Sequence, residues 1–227
     1  MNAFWLKVIA LTAMLIDHVG VVFFSGTTIS MFGMEWEFLR IIGRIAFPIF
    51  AFQIAEGAGH TSNWKTYALR LFLLGIISEI PYDLALYGEI TLYQQNVYFT
   101  LLLGLLAIQA DMHFIKKDIQ WGRLKGLLFT GLCMGIGWAV RCDYSFFGVL
   151  MVYWFYLTRS ESMMMVMGNA ILEFSMGGLQ PFGLLGLIPI GLYNHEKGYQ
   201  KKGIQFGFYL FYPIHLSILA ILKWFII

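Results

Sequence analysis

Asp17, His18, Arg40, Arg44, Glu79, Asp83, Asn96, Arg141, Asp143 and His215 are polar or charged side chains standing in or beside long apolar runs. Charge inside such a run is expensive, and it persists where it faces partner charges or a wet interior. His18 titrates near neutral pH, which suits it to general-base work on an amine or hydroxyl. Asp17 lies about 100° round a helix from His18, so it cannot orient the imidazole and is better aimed at an arginine. Arg40 and Arg44 are four residues apart, which sets both guanidinium groups on one helix face, able to grip one anion or carboxylate. Pro48 has no N–H for the carbonyl of Arg44, so the helix is expected to kink just below the arginine pair. Glu79 and Asp83, four apart with Pro81 between them, present two acids on one face and are the carboxylates expected to orient His18.

The elements that must position these groups follow from composition. Of 227 residues, 59% are hydrophobic and 12% charged, against about 25% charged in a soluble domain. An integral membrane protein is the class this implies. The net charge of +2, with no Lys/Arg block, excludes a nucleic-acid patch. With roughly 20 apolar residues per span, the chain reads as an all-α, polytopic transmembrane helix bundle. Its helices fall near Phe4–Phe24, Phe38–Ala58, Thr66–Tyr87, Asn96–Ala110, Leu124–Val140, Ser145–Thr158, Met163–Met176, Phe182–Tyr193 and Gln205–Phe225. That is nine helices, or eight if one of the short ones does not cross. The loops 25–37, 88–95 and 177–181 have no Lys or Arg. Lys65, then Lys116, Lys117, Arg123 and Lys125, then Arg159, then Lys197, Lys201 and Lys202 fill the alternate loops. Positive residues gather on the cytoplasmic side, so the N-terminus is expected inside and the C-terminus outside, with Arg141 the exception in a tight external turn. The first apolar run carries Asp17 and His18 and no small-residue cleavage site, unlike a signal peptide. With no internal repeat or linker, residues 1–227 are read as one domain.

On this layout Asp17, His18, Arg40, Arg44, Glu79, Asp83, Asn96, Arg141 and Asp143 lie toward the outer side, with His215 near mid-depth. A cavity opening outward would pair these charges. Plainer readings stand beside that one. Asp17 with Arg40 can be a structural ion pair, Glu56 with His60 a local pair at a helix end, and His215 a helix-packing hydrogen bonder. Trp36, Trp64, Tyr82, Trp121 and Trp224 read as interfacial anchors. Cys133 and Cys142 lack CxxC or ligand spacing and read as small apolar residues, and no metal site is expected.

The blocks LTAMLIDHVG, LRIIGRIAFPIFAFQIAEG, LLGIISEIPYDLAL, NVYFTLLLGL, CDYSFFGVLMV and FYPIHL occur in order over nearly the whole chain. Together they resemble the TraX family, named for the conjugation protein that acetylates the N-terminus of F-type pilin. The resemblance implies a multi-pass protein of the bacterial inner membrane that moves an acetyl group from acetyl-CoA to a peptide, glycan or lipid acceptor. It also implies roles. His18 would be the base, with Asp17, Glu79 and Asp83 around it. Arg40 and Arg44 would stabilise the oxyanion or hold the donor, which would also use Arg70, Glu56 and His60. Asn96, Asp143, Arg141 and His215 would meet the acceptor. A proton-coupled transporter or channel using the same carboxylates and histidines as a relay, and a structural or assembly membrane protein needing only ion pairs, are the rival expectations.

Overall fold

Asn2 begins the regular structure: its side-chain oxygen accepts the N–H of Trp5 and caps α1, Ala3–Phe23. The computed structural model describes residues 1–31, 34–199 and 201–226. After α1, a short antiparallel hairpin pairs β1 (Ile29–Met31) with β2 (Met34–Trp36). Among the described residues, nine helical stretches follow the order expected from the apolar runs, and some of them are subdivided. They comprise α1, α2 (Phe38–Gly43) with α3 (Ala46–His60), α4 (Trp64–Leu86), α5 (Val97–Lys117) and α6 (Gly122–Ala139). The rest are α7 (Ser145–Leu157), α8 (Ser162–Met176), a 3-10 segment Gln180–Gly186 continued by α9 (Leu187–Gly191), and α10 (Lys202–Ile226).

Among the described residues, four helical stretches are long and apolar enough to cross a membrane: Ala3–Phe23, Phe38–His60, Val97–Lys117 and Gly203–Ile226. Helix α4 has comparable length, but Lys65, Arg70, Glu79 and Asp83 interrupt its apolar surface. Of the expected anchors, Trp64, Trp121 and Trp224 are exposed, whereas Tyr82 is buried and packs edge-on against Tyr87. The Trp36 side chain lies outside the described residues. Both cysteines are free and buried.

The interruption expected just below the arginine pair is present as a turn at Arg44–Ile45 between α2 and α3, with Arg44 itself still in αR geometry. Pro48 supplies no amide to the Arg44 carbonyl, so ending one helix and starting another costs no hydrogen bond that the sequence was able to make.

The chain groups into two compact units. Unit one comprises Met1–Phe50, Ile80–Thr91 and Glu173–Ile227; unit two comprises Ala51–Glu79 and Leu92–Leu172. In unit one, α1 packs against α2 and α10, and the 3-10 segment packs against α2. The start of α1 is tied to the loop before α10, where Ala3 N–H donates to the Glu196 carbonyl and Asn194 N–H to that of Met1. At the opposite end of α10, Lys223 Nζ reaches the carbonyl of Ala85 at 3.0 Å.

In unit two, α5, α6 and α7 pack mutually. Gly104 allows the close approach, because a Cβ there would meet Val152. Tyr153, Phe155, Leu105, Ile108, Val149 and Val152 fill the center. Asn96 caps α5, and its side-chain amide donates to the Gly75 carbonyl and to Glu79.

Candidate active site

Three helices of unit one assemble the site. Asp17 and His18 lie in the C-terminal half of α1, Arg40 and Arg44 on α2 and its C-terminal cap, and His215 on α10. Gly43 brings α2 against α1: a Cβ on it would overlap the Asp17 carboxylate. That approach lets one carboxylate hold two guanidiniums. Arg44 Nη2 lies 2.7 Å from Asp17 Oδ1 and 2.8 Å from Oδ2, and Arg40 Nη1 lies 3.0 Å from Oδ2. The Nε–H of Arg44 donates to the Arg40 carbonyl at 3.2 Å, which locks the two residues together at the helix end. Glu37 stands 3.9 Å from Arg40 Nε. The expectation that Asp17 would be aimed at an arginine is met twice over. Because Arg44 is 8% exposed and the Asp17 side chain 13%, the attraction is little screened by water.

His18 requires a correction. The expected partner was a carboxylate from Glu79 or Asp83. The observed one is His215, whose Nε2 lies 2.7 Å from His18 Nδ1. The two rings stack at 5.0 Å with a 16° interplanar angle, and Tyr212 packs edge-on to both. His18 is 8% exposed and His215 5%. His215 Nδ1 lies 2.7 Å from the carbonyl of Phe211, one turn back on α10. The acids lie elsewhere for local reasons. Asp83, in unit one, accepts the Thr91 N–H at 2.9 Å and so closes the loop after α4. Glu79, in unit two, accepts the amide of Asn96.

The remaining residues of the expected site belong to unit two. Asp143 accepts from Gln94 Nε2 at 3.2 Å and from its neighbour Tyr144 N–H at 3.1 Å, and the guanidinium of Arg141 lies over the Tyr93 ring at 5.3 Å. Arg141 adopts a left-handed backbone, φ 54°, in this turn. Glu56 and His60 are 3.4 Å apart at the end of α3, as their spacing suggests, and Arg70 is exposed on α4.

Two buried acids escaped the sequence reading. Glu173, in unit one, is 2% exposed; its Oε2 has no hydrogen-bond partner among the described residues, and Gly183 of the 3-10 segment lies against Oε1. Its signal was a single carboxylate in the apolar run of α8. Asp111, in unit two, is fully buried, pairs with Arg123 at 2.7 Å and is approached by Gly126. Here the signal was an acid in the middle of α5, twelve residues before an arginine. Among the described residues, no group of three or more His, Cys, Asp or Glu is arranged to hold a metal.

A family model described as TraX protein matches residues 3–223. The chain belongs to the TraX family. This TraX-family chain is 29% identical over 249 aligned positions to a protein named as probable fimbrial assembly protein FimC, serogroup H1, of Dichelobacter nodosus, covering 99% of this chain and 97% of that one. It is also 28% identical over 151 positions to an uncharacterised protein of Rickettsia prowazekii (strain Madrid E), covering 65% of this chain and 50% of that one. No solved structure matches it. Family membership and the four apolar helices together make it a TraX-type membrane protein.

Proposed function

We propose that this protein is an acetyltransferase of the bacterial inner membrane, moving an acetyl group from acetyl-CoA to an amine or hydroxyl acceptor at the outer side. The observation that carries this reading is a buried imidazole, His18, braced by His215 and next in the chain to Asp17, which holds Arg40 and Arg44. A base and a fixed positive field are the two things that acyl transfer from a thioester needs. Membership of the TraX family supports the reaction class. The name of the Dichelobacter nodosus relative speaks for a fimbrial subunit as the acceptor, among the peptide, glycan and lipid acceptors considered.

Acetyl-CoA brings an activated carbonyl. The acceptor's lone pair forms the new bond to that carbonyl carbon while its proton passes to His18. The C–S bond then breaks, and the departing thiolate takes a proton back from the imidazolium. No cysteine is needed as a nucleophile, and both are buried in unit two. The arginines fit a field-forming role better than phosphate capture. Arg44 is already clamped on both oxygens of Asp17, and Arg40, which shares that carboxylate, would be the guanidinium that turns toward a developing oxyanion. Within unit one, exposed Lys201 in the loop before α10 would meet the donor's phosphates.

The test is reconstitution in proteoliposomes with radiolabelled acetyl-CoA and membrane extract. A labelled product is expected, lost in His18→Ala and reduced in Arg44→Ala. Absence of acetyl-CoA binding to the wild-type protein by calorimetry overturns the reading, and proton-coupled flux without any binding would favour the transporter.

A further inference from the structure

We infer that His215 is a positioning residue that fixes the tautomer of His18, holding a proton on Nδ1 and leaving the Nε2 lone pair as the base. The inference rests on the two 2.7 Å contacts of His215 and on the one-way chemistry of a carbonyl. A backbone oxygen only accepts, so the Nδ1 of His215, facing the Phe211 carbonyl, carries a hydrogen. In a neutral ring the other nitrogen is then a lone pair. That nitrogen, His215 Nε2, faces His18 Nδ1, which therefore donates. The proton of His18 is thereby placed on Nδ1, and its Nε2 is left to accept. The order runs from the main chain of α10 outward, from Phe211 carbonyl to His215 to His18.

The surroundings hold this order in place. Phe211 stacks on the His215 ring at 4.9 Å and Tyr212 meets both imidazoles edge-on, so neither ring turns without displacing an aromatic neighbour. With the hydrogen on Nδ1, the Nε2 of the neutral ring stays able to take a proton. When it does, His215 Nε2 remains as the acceptor for the Nδ1–H of the new imidazolium. His215 thus does for His18 what an orienting carboxylate does for a catalytic histidine, without adding a second negative charge beside Asp17.

Use of this tautomer in catalysis rests on the acetyl-transfer reading, whereas the tautomer itself does not, and the experiment separates them. The full chain, labelled with 15N-histidine in nanodiscs, is read by NMR, with assignments from loss of signal in His18→Asn and His215→Asn. Both rings are expected to carry hydrogen on Nδ1 and a lone pair on Nε2. In His215→Phe the His18 ring should revert to the Nε2–H form common in free histidine. His215→Gln, whose side-chain oxygen reaches about where Nε2 lies, should retain the native form. A native His18 protonated on Nε2, or one unmoved by His215→Phe, overturns the inference. If His215→Phe does not fold, the native tautomer alone decides. In the transfer assay His215→Phe should lower kcat about 100-fold, with KM for acetyl-CoA changed less than about twofold and partial recovery in His215→Gln. Full kcat in a folded His215→Phe would equally overturn it.

Discussion

Asp17 is the carboxylate that both arginines share. Its removal leaves Arg40 with the more distant Glu37 and takes from the almost fully buried Arg44 both oxygens that it holds. Breaking a buried pair from one side costs ~3–5 kcal/mol. Asp17→Ala should therefore lower the thermal unfolding midpoint in detergent far more than His18→Ala, which leaves no charge unpaired. Equal midpoints would mean that the arginines find other anions. At this scale the sequence was partly legible. The four-residue spacing of Arg40 and Arg44 announced a shared anion, because helix periodicity alone puts the two side chains together. The pairing of His18 with His215 was not announced, since 197 residues separate them and no local period links α1 to α10.

Among the elements, α2 and α6 make opposite predictions for the same substitution. A Cβ on Gly43 would overlap Asp17, whereas one on Gly135, within α6, meets nothing within 4 Å. Gly43→Ala should destabilise by ~1–3 kcal/mol through forced separation of the helices. Gly135→Ala should stabilise by ~0.5 kcal/mol by restricting the unfolded chain. Chemical denaturation of the two variants side by side checks the sign of each. The loop between α5 and α6 adds a pH dependence. Asp118 donates no proton to its neighbours; it accepts from Lys125 Nζ at 2.6 Å and from the N–H groups of Trp121 and Gln120. The ammonium of Lys125 first, then those amides, hold its carboxyl below the usual carboxylate range. Its contribution is therefore present above the ordinary aspartate pKa and is lost as pH falls through the lowered one. Asp118→Asn should lower the neutral plateau slightly and flatten the acid limb of a stability-against-pH curve, so that variant and wild type converge at low pH. Element positions were legible because each apolar run had the length of a helix. The hairpin Ile29–Met31 with Met34–Trp36 was read as loop, because three-residue strands held by backbone pairing leave little period to detect.

At the scale of the whole molecule, the lysine-rich and lysine-free loops sort to opposite ends within each unit. In unit one the start of α1 meets the 194–198 loop, while the end of α10 meets the end of α4. In unit two Gln109 near the end of α5 donates to the Ala58 carbonyl, and at the other end the Gln95 N–H donates to the Arg141 carbonyl. Alternating charge anticipates this sorting, and the expected cytoplasmic N-terminus assigns the lysine-rich ends to the inside. Single cysteines introduced at Lys65, Lys117 and Lys197 should react with a membrane-impermeant maleimide only after cells are opened, and one at Glu89 in intact spheroplasts. The reverse pattern would invert the topology. Charge distribution was readable from sequence because it is a one-dimensional property. The grouping of side chains within each unit was not, because it depends on which helices become neighbours.

Three places in unit one are shaped by atoms that are missing. Gly43 lies against Asp17, Gly183 against Glu173, and Gly186 against the carbonyl of Ile45 at the helix break. A protein engineer who wishes to widen this region for a bulkier guest finds no side chain to trim there. One who wishes to close it needs a single methyl group.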